Sequence, residues 1–303
     1  MALEFMPEAL RIPEGHFIGG HLHSDKNEIS LSVNLPSTGQ PFASITDGGA
    51  ERVYQAVSVS LRAFQLSGWA SCAPRERARK MYRWADLIEQ DTLLLHLEVA
   101  CSTRPVNEVR SGDRISAAET IRFFAELADK SGGDVAATRN ESLGFVAAEP
   151  YGVIGAITPW NFPLSMAAWK CGPALAAGNA VVIKPSEFTP FSTVRLAELT
   201  IAAGIPAGIL NVVHGRGDTT GAALVSHPDI SKMSFTGSPA TGASVMAGAA
   251  SSGTKPVTLE LGGKRPQLVF SDVNDLKSVA DNVFRGFTSN AGQVCSRKPP
   301  YCA

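Results

Sequence analysis

The sequence predicts an α/β protein whose core is a parallel β-sheet with helices on both faces. From residue 151 onward, short apolar segments at 152–157, 180–184, 210–213 and 232–236 have the length of buried strands. Segments of helical spacing lie between them, at 164–177, 191–203 and 219–225. Strands that alternate with helical crossovers are typical of a parallel sheet, whose ligands gather at the carboxyl ends of the strands.

The N-terminal half shows a different pattern. Residues 17–20 predict a turn, and residues 31–39 predict a strand that ends in a turn. Between residue 49 and about residue 130 the apolar spacing is helical, until the glycines at 132–133 break it; residues 133–149 then predict a polar β-hairpin. The predicted helical faces consist of Val53, Ala56, Val57, Ser60 and Phe64, then Met81, Trp84, Ala85 and Ile88, then Phe123, Phe124 and Leu127.

The composition excludes several classes of function. The 303 residues are 44% hydrophobic and 18% charged, and the net charge of −1 gives no basic surface for nucleic acid or an anionic membrane. No apolar run reaches the roughly 18 residues that a membrane-spanning helix needs, and the N-terminus lacks the pattern of a secretory signal. The five cysteines are scattered and contain no CxxC, so we expect a reducing cytoplasm and no structural metal site.

Polar residues follow the predicted strands where a cofactor would bind. Lys184 and Glu187 are spaced to hydrogen-bond a ribose, whereas an isolated pair of this kind is more often a solvated loop. Gly237 allows a turn before Ser238, which either offers a hydroxyl to a phosphate at a helix N-terminus or caps that helix. Residues 215–220 match the dinucleotide fingerprint only in part, because Thr220 replaces its last glycine, and a plain strand-to-helix turn is favoured.

Three residues supply the groups that form and hydrolyse a covalent acyl intermediate. Cys295 follows Gly292 and is a candidate nucleophile, although a lone cysteine is more often a buried inert thiol. Glu260, between two leucines, is a candidate general base in apolar surroundings or else an exposed residue of an edge strand. Asn161 can donate its amide to an oxyanion or can be a turn residue before Pro163.

His21 and His23 are the remaining pair of potential metal ligands. No third ligand is close to them in the sequence, so we interpret both histidines as surface residues.

Taken together and in this order, the motifs resemble those of the aldehyde dehydrogenase superfamily over residues 17–296. The resemblance implies a Rossmann-type cofactor domain at 1–131 and 151–262, an oligomerisation hairpin at 132–150 and an incomplete catalytic domain at 263–303. The motifs that carry it are Pro159-Trp160-Asn161-Phe162-Pro163, Lys184-Pro185-Ser186-Glu187, Phe235-Thr236-Gly237-Ser238, Leu259-Glu260-Leu261-Gly262-Gly263-Lys264 and Gly292-Gln293-Val294-Cys295.

The resemblance also implies a mechanism, the oxidation of an aldehyde to a carboxylic acid. Cys295 resembles the nucleophile that attacks the aldehyde, and Asn161 with the Cys295 backbone N–H resembles the group that holds the oxyanion. Hydride then passes to the nicotinamide and leaves a thioester. Glu260 resembles the base that activates water to hydrolyse this thioester, which favours water over coenzyme A as the acyl acceptor.

The cofactor that the resemblance implies is NAD. Lys184 and Glu187 resemble the contacts to the adenosine ribose, and Glu187 would repel the 2′-phosphate of NADP. Ser238 and Gly237 resemble the pyrophosphate contact, and Trp160 borders the cofactor cleft. The expected aldehyde tunnel is apolar and consists of Phe162, Trp169 and Val294.

The end of the chain departs from the family pattern. Relatives continue well beyond the cysteine, whereas here residues 297–303 are atypical and two adjacent prolines at 299–300 are not expected in a central strand. We therefore expect a C-terminally truncated chain in which nothing holds Cys295 in place. Three hypotheses remain: an NAD-dependent aldehyde dehydrogenase whose full-length form is a homo-oligomer, an inactive remnant that at most binds a dinucleotide, and a thioester or ester hydrolase.

Overall fold

The computed structural model describes residues 10–102, 104–263, 267–295 and 300–302. The strands are β1 (His16–Ile18), β2 (His21–His23), β3 (Ile29–Asn34), β4 (Pro41–Asp47), β5 (Asp134–Ala136), β6 (Gly144–Val146), β7 (Val153–Ile157), β8 (Ala180–Lys184), β9 (Leu210–Val212), β10 (Lys232–Gly237), β11 (Val257–Leu261), β12 (Gln267–Val269) and β13 (Pro300–Cys302).

The helices lie between these strands and before them. They are α1 (Gly49–Leu66), α2 (Pro74–Gln90), α3 (Thr92–Cys101), α4 (Val106–Glu108), α5 (Arg114–Leu127), α6 (Pro163–Ala176), α7 (Phe191–Ala202), α8 (Ala222–Ser226), α9 (Pro239–Ser251) and α10 (Leu276–Thr288). π-helical segments at Val109–Asp113 and Gly217–Gly221 precede α5 and α8, and a 3₁₀ turn at Ser289–Gly292 follows α10.

The central sheet has seven strands in the order β11-β10-β7-β8-β9-β1-β2. The five strands from β11 to β9 pair in parallel, which confirms the predicted α/β class and the predicted strands. β1 and β2 add an antiparallel edge that the sequence analysis did not predict. The predicted turn at 17–20 joins them, with Gly19 and Gly20 at φ values of 63° and 90° that favour glycine.

The core lies between this sheet and the helices of both halves of the chain. Val153, Val182 and Val212 on the sheet are fully buried or nearly so, as are Met81 and Trp84 of α2. The helical faces predicted from Val53 to Ile88 are buried as well, apart from Phe64, which packs against the core from a partly buried position. Helical spacing thus located the core faces of α1 and α2. The third predicted face is wrong, because Phe123 and Leu127 of α5 are exposed and Phe124 is only partly buried.

The helical region has more pieces than the three predicted. Asp91 ends α2 and begins α3, because its side chain accepts a hydrogen bond from the Leu94 backbone N–H at 2.6 Å. Its other carboxylate oxygen accepts from Arg195 of α7 at 2.6 Å. The helix cap at Asp91 can be inferred from nearby residues, but its contact with Arg195, 104 residues away, cannot.

The predicted hairpin forms from β5 and β6, which pair with each other in an antiparallel two-stranded sheet. It exposes three large apolar side chains, since Val135, Leu143 and Phe145 are 75%, 79% and 73% exposed. Among the described residues no third strand joins this hairpin.

The segment after residue 266 packs loosely. No described residue of α10 is buried, and Leu268, Phe270 and Phe284 are each at least 59% exposed. β13 begins at Pro300 and pairs in parallel with β12 in a two-stranded sheet apart from the central sheet, which leaves the expectation for a central strand unchanged. Proline is tolerated there because it begins a short strand of a two-stranded sheet. Residues 297–299 of the atypical tail lie outside the described residues.

In the described ranges, no helix combines the length and the hydropathy required to cross a membrane.

Asn211 provides a test of the fold. Its side chain accepts from the Gly19 N–H at 2.8 Å and donates to Ser60 Oγ at 2.7 Å and to the Gly208 carbonyl at 2.8 Å. We expect Asn211→Ala to lower the free energy of unfolding by about 2–4 kcal/mol, because it leaves buried groups without partners. Urea denaturation measures this, with Asn140→Ala in the exposed hairpin loop as a control that changes it by less than about 0.5 kcal/mol. Equal effects of the two substitutions would show that the hydrogen bonds of Asn211 do not stabilise the fold.

Candidate active site

The site is built where the parallel strands end together. Ile157, at the end of β7, is paired with Lys184 at the end of β8 and with Phe235 near the end of β10. On the far side of β10, Thr236 is paired with Glu260 of β11. The loops that leave β7, β10 and β11 therefore start at one edge of the sheet.

These loops and the loop before Cys295 enclose a cavity of about 810 Å³, here called the cysteine cavity. Six of the eight predicted site residues line it. They are Trp160, Asn161, Gly237, Ser238, Glu260 and Cys295. The three predicted tunnel residues, Phe162, Trp169 and Val294, line it too.

Cys295 is exposed and stands at the end of a loop with unusual backbone geometry. Asn290, Ala291 and Gly292 have φ values of 49°, 53° and 77°, so three successive residues are left-handed. This conformation is rare without a stabilising contact. The contact comes from Asn290, which is buried and donates from Nδ2 to the Asn161 carbonyl at 2.9 Å.

Asn161 completes the link between the two loops. Its Nδ2 donates to the Gln293 carbonyl at 2.8 Å, across 132 residues of sequence. The expectation that nothing holds the Cys295 segment is therefore wrong. The same bond uses one of the two N–H groups of the Asn161 amide, so one remains for an oxyanion.

Glu260 is exposed on β11, which is an edge strand of the sheet in the described part of the chain. The alternative of an exposed residue on an edge strand is therefore confirmed, and the expected apolar surroundings are wrong. Lys170 of α6 lies within electrostatic reach and donates from Nζ to Ser234 Oγ at 3.0 Å. Burial lowers the pKa of Lys170 to about 8, against the charge of Glu260, which raises it.

Ser238 caps α9, since its Oγ accepts from the Thr241 N–H at 3.1 Å. The capping alternative is thus confirmed. Ser238 still lines the cysteine cavity, so the N-terminus of this thirteen-residue helix borders that cavity. A side chain at Gly237 would require the Phe235 ring to move, because a Cβ atom there would lie 2.5 Å from that ring.

Lys184 and Glu187 lie outside the cysteine cavity. Glu187 lines a second cavity of about 550 Å³, here called the Glu187 cavity. Lys184 Nζ is buried and donates to the Gly215 carbonyl at 2.8 Å, the Pro185 carbonyl at 3.0 Å and Glu187 Oε2 at 3.5 Å. Burial lowers the pKa of Lys184, while the carboxylate of Glu187 opposes that shift. The alternative of a solvated loop pair is therefore wrong for Lys184.

Sequence reasoning missed a buried acidic group beside the cysteine cavity. Asp113 lines that cavity, and its Oδ1 accepts from Arg104 at 2.6 Å and from Ser165 Oγ at 3.2 Å. Burial raises the pKa of Asp113 to about 6, and Arg104 counteracts this. The signal was present: Asp113 stands four residues before the buried Ala117 and so occupies a core-facing position of the helix.

Glu98 of α3 is a second missed acid, and it holds the start of α6. Its Oε1 accepts from the Leu164 backbone N–H at 3.3 Å, directly after the loop that carries Asn161 and Phe162. Burial, together with the charge of Asp113, raises the pKa of Glu98 to about 7. A carboxylate that faces the N-terminus of a helix is favourable, whereas the full burial of Glu98 opposes its ionisation.

Two other sequence hypotheses can be placed. The segment 215–220 leads from β9 into the π-helical segment Gly217–Gly221, where Thr220 Oγ1 accepts from the Gly49 N–H at 2.8 Å. His21 is exposed as expected, whereas His23 is half-buried and its Nε2 lies 3.1 Å from the Ile18 carbonyl oxygen, so the surface interpretation is wrong for His23. Among the described residues, no group of three potential metal ligands occurs.

A family profile and two curated proteins give the same result when they are compared with this chain. The sequence profile of the aldehyde dehydrogenase family matches residues 22–299. The chain is 42% identical over 288 residues to the aminoacetaldehyde dehydrogenase of Pseudomonas aeruginosa and 41% identical over 288 residues to the NADP/NAD-dependent aldehyde dehydrogenase PuuC of Escherichia coli. Each alignment covers 95% of this chain and 58% of the relative, so the chain spans little more than half the length of these relatives.

A solved structure agrees with these relatives. The structure of an indole-3-acetaldehyde dehydrogenase in complex with NAD+ superposes with a TM-score of 0.93 at 39% identity. The superposition covers 96% of this chain and 59% of that one.

The buried Glu98 predicts a pH dependence of stability. Its folded pKa of about 7 lies above the ordinary value of 4.5, so the folded chain keeps a proton that the unfolded chain releases. The free energy of unfolding should therefore fall as the pH rises from 4.5 to 7. Between about pH 5 and pH 8, Glu98→Gln should gain roughly 2 kcal/mol of stability relative to the wild type.

Urea denaturation at both pH values measures that difference. Glu141→Gln in the exposed hairpin is the matched control and should show no such gain. A gain that does not change with pH would mean that Glu98 is ionised in the folded chain.

Proposed function

Because the chain belongs to the aldehyde dehydrogenase family, we propose that its site oxidises an aldehyde to a carboxylic acid with NAD as the oxidant. The observation that supports this most is the placement of Cys295, Glu260 and Asn161 around one cavity that also borders the N-terminus of α9. The three residues and the start of α9 come from four separate segments of the chain, and a purely structural role for each would not require them to share a cavity.

Cys295 is the proposed nucleophile. Its thiol is exposed to the cysteine cavity, where an aldehyde can reach it. The thiolate adds to the aldehyde carbon, the carbonyl electron pair moves to oxygen, and a thiohemiacetal oxyanion results. The carbon–hydrogen bond then gives up its hydride, and the product on Cys295 is a thioester.

Asn161 is the proposed donor to that oxyanion. The amide bond to the Gln293 carbonyl fixes the orientation of the side chain, and the second N–H is the group available to the substrate oxygen. A donor that is already oriented needs no rearrangement as negative charge develops, and this is the condition for effective electrostatic stabilisation.

Glu260 is the proposed base for hydrolysis. An exposed carboxylate at the cavity wall is in contact with water, so it can take a proton from a water molecule that attacks the thioester carbon. The carbon–sulfur bond breaks, the carboxylic acid leaves, and the thiol of Cys295 is restored. The charge of Glu260 reaches Lys170, whose pKa it raises against the effect of burial.

NAD supplies the acceptor for the hydride in this scheme, and the residues present fit its two ends. Gly237 and Ser238 leave the α9 N-terminus open at the cysteine cavity, where backbone N–H groups suit a pyrophosphate. At the end of β8, Lys184 Nζ contacts Glu187 Oε2 at 3.5 Å, and the Glu187 carboxylate is the group that we propose accepts hydrogen bonds from a ribose. Trp160 lies at the border of the cysteine cavity, 46% exposed. We propose NAD in preference to NADP, because Glu187 repels a 2′-phosphate.

The proposed substrate is a small aldehyde with an apolar region. Phe162, Trp169 and Met166 give the cysteine cavity an apolar wall. Ser116 and the buried Asp113 interrupt that wall with polar groups. The relatives act on aldehydes that their names specify, such as aminoacetaldehyde for the Pseudomonas aeruginosa protein.

A second candidate function is dinucleotide binding without turnover. The observation that favours it is the exposure of Leu268, Phe270 and Leu276 in the segment just before Cys295. A segment with little buried area holds its residues less firmly than catalysis requires. On this second hypothesis the 303-residue chain binds NAD and is slow or inactive in oxidation.

The remaining proposals concern organisation. We propose a cofactor domain at 1–131 and 151–262, an oligomerisation hairpin at 132–150 and the beginning of a catalytic domain at 263–303. The exposed apolar residues Val135, Leu143 and Phe145 support the role of the hairpin in a homo-oligomer. We also propose a cytoplasmic location, which the free thiols of the described cysteines support.

One experiment separates the two candidate functions. The 303-residue chain is titrated with NAD by calorimetry and then assayed for NADH formation with several aldehydes. The same measurements are made on a chimera in which residues 1–295 are followed by the C-terminal part of the Pseudomonas aeruginosa relative. Activity in the chimera supports the dehydrogenase, whereas NAD binding without activity in either protein leaves only the dinucleotide-binding function.

In the chimera we expect Cys295→Ala to lower aldehyde oxidation by more than about a hundredfold while NAD affinity stays the same. The reason is that the thioester cannot form without this thiol. The matched control is Cys72→Ala, because Cys72 is a half-buried thiol on the loop between α1 and α2. Retention of activity in the Cys295 variant would remove this residue from the mechanism.

Glu260→Gln in the chimera should slow hydrolysis of the thioester more than its formation. Stopped-flow absorbance should then show a stoichiometric burst of NADH followed by turnover about a hundredfold slower than that of the parent. Glu51→Gln, an exposed position on α1, serves as the control. Uniform slowing without a burst would instead assign Glu260 to an earlier step.

A further inference from the structure

The Glu187 cavity contains a cation that the proposed mechanism does not use. Arg216, on the loop between β9 and α8, lines this cavity together with Glu187 and Asp218. Ser30 and Ser32 of β3 bring two hydroxyl groups to the same cavity.

The guanidinium of Arg216 is accessible and only partly engaged. Its Nε and Nη2 donate to the two carboxylate oxygens of Asp218 at 2.9 and 2.7 Å. The side chains are 56% and 63% exposed, so water screens the pair and the bond contributes little to stability. Three of the five guanidinium N–H groups remain after this bidentate contact.

Arg216 also lies within the electrostatic field of Glu187. The hydrogen bonds that Arg216 donates to Asp218, together with the charge of Asp218, raise the pKa of Arg216 most, and the charges of Asp47 and Glu187 raise it further. A phosphate placed beside Glu187 would therefore lie within range of the guanidinium as well.

Lys184 cannot serve the same purpose. An ammonium group has three donors, and those of Lys184 already have three acceptors, in Gly215, Pro185 and Glu187. Of the cations that the structure describes around Glu187, Arg216 is the one with unused donors at the cavity.

We propose that Arg216 is a specificity-determining residue that binds a phosphate on the 2′ position of the adenosine ribose, so that the chain binds NADP as well as NAD. Glu187 favours the free 2′-hydroxyl of NAD, and Arg216 offsets its repulsion when that hydroxyl carries a phosphate. Arginine suits this purpose because its planar donors bind phosphate in pairs, and the exposed Asp218 is the partner that the phosphate replaces. This inference rests on the proposed function, because that function places the adenosine ribose at Glu187.

Calorimetric titration of the 303-residue chain with NAD, NADP, ADP and adenosine 2′,5′-bisphosphate tests the proposal without any requirement for turnover. We expect Arg216→Ala to lower the affinity for NADP and for the bisphosphate by about tenfold or more. The affinities for NAD and ADP should stay the same. Arg216→Lys should recover part of the loss. Arg139→Ala in the exposed hairpin is the matched control and should change none of the four affinities.

Two further variants separate the roles of the neighbouring acids. Asp218→Asn releases the guanidinium and should strengthen NADP binding, and Glu187→Gln should strengthen it by removing the repulsion. Circular dichroism checks that every variant is folded.

The outcomes distinguish this inference from the function on which it rests. NAD binding without NADP binding, or NADP binding that Arg216→Ala leaves unchanged, would overturn the role of Arg216 and keep the proposed function. If Arg216→Ala lowered the affinities for NAD and NADP equally, Arg216 would be a structural residue, and its role as a specificity determinant would be overturned. A folded chain that binds neither nucleotide would overturn both proposals.

Discussion

The aligned parallel pairing of β7, β8 and β10 is the constraint on which both cavities depend. Because Ile157 is paired with Lys184 on one side and with Phe235 on the other, the three strands end at the same level. Each strand then releases a loop at this edge. A shift of one residue in any pairing would turn the side chains of that strand to the opposite face and separate the groups that now face one cavity.

Hydrogen bonds between distant residues fix the loops that leave the sheet edge. The Asn161 amide holds the Gln293 carbonyl, and Asn290 holds the Asn161 carbonyl in return, so the loop after β7 and the loop before Cys295 fix each other. From the opposite side, the Glu98 carboxyl fixes the start of α6. The same side chains thus stabilise the fold and define the position of the groups proposed for catalysis, which couples stability to function.

The two cavities differ in electrostatics in a way that suits the two ends of a dinucleotide. The cysteine cavity combines aromatic residues such as Phe162 and Trp169 with few charges, which suits an aldehyde. The Glu187 cavity is small and charged, with Glu187, Arg216 and Asp218 at its wall. Lys184 lies beneath it as a buried cation whose donors are all used, so the balance of charge at the surface is left to Glu187 and Arg216.

The sequence alone was sufficient for the α/β class, the order of the parallel strands along the chain and the residue types of the candidate site. Apolar runs of strand length and helical spacing depend on local periodicity, and motifs such as those around Asn161 and Cys295 are contiguous in sequence. Their proposed roles came from family resemblance, which periodicity cannot supply. The predicted hairpin at 133–149 likewise followed from two glycines and a run of polar residues.

The tertiary structure decided everything that depends on contacts between distant residues. It showed that Glu260 is exposed, although its leucine neighbours predict otherwise, because β11 is at the edge of the described sheet. It also separated Glu187 from the cysteine cavity and brought it to Arg216, 29 residues further along the chain. The burial of a residue and its distance from other charges depend on neighbours from many segments of the chain. The sequence pattern does not show which of these segments will be in contact.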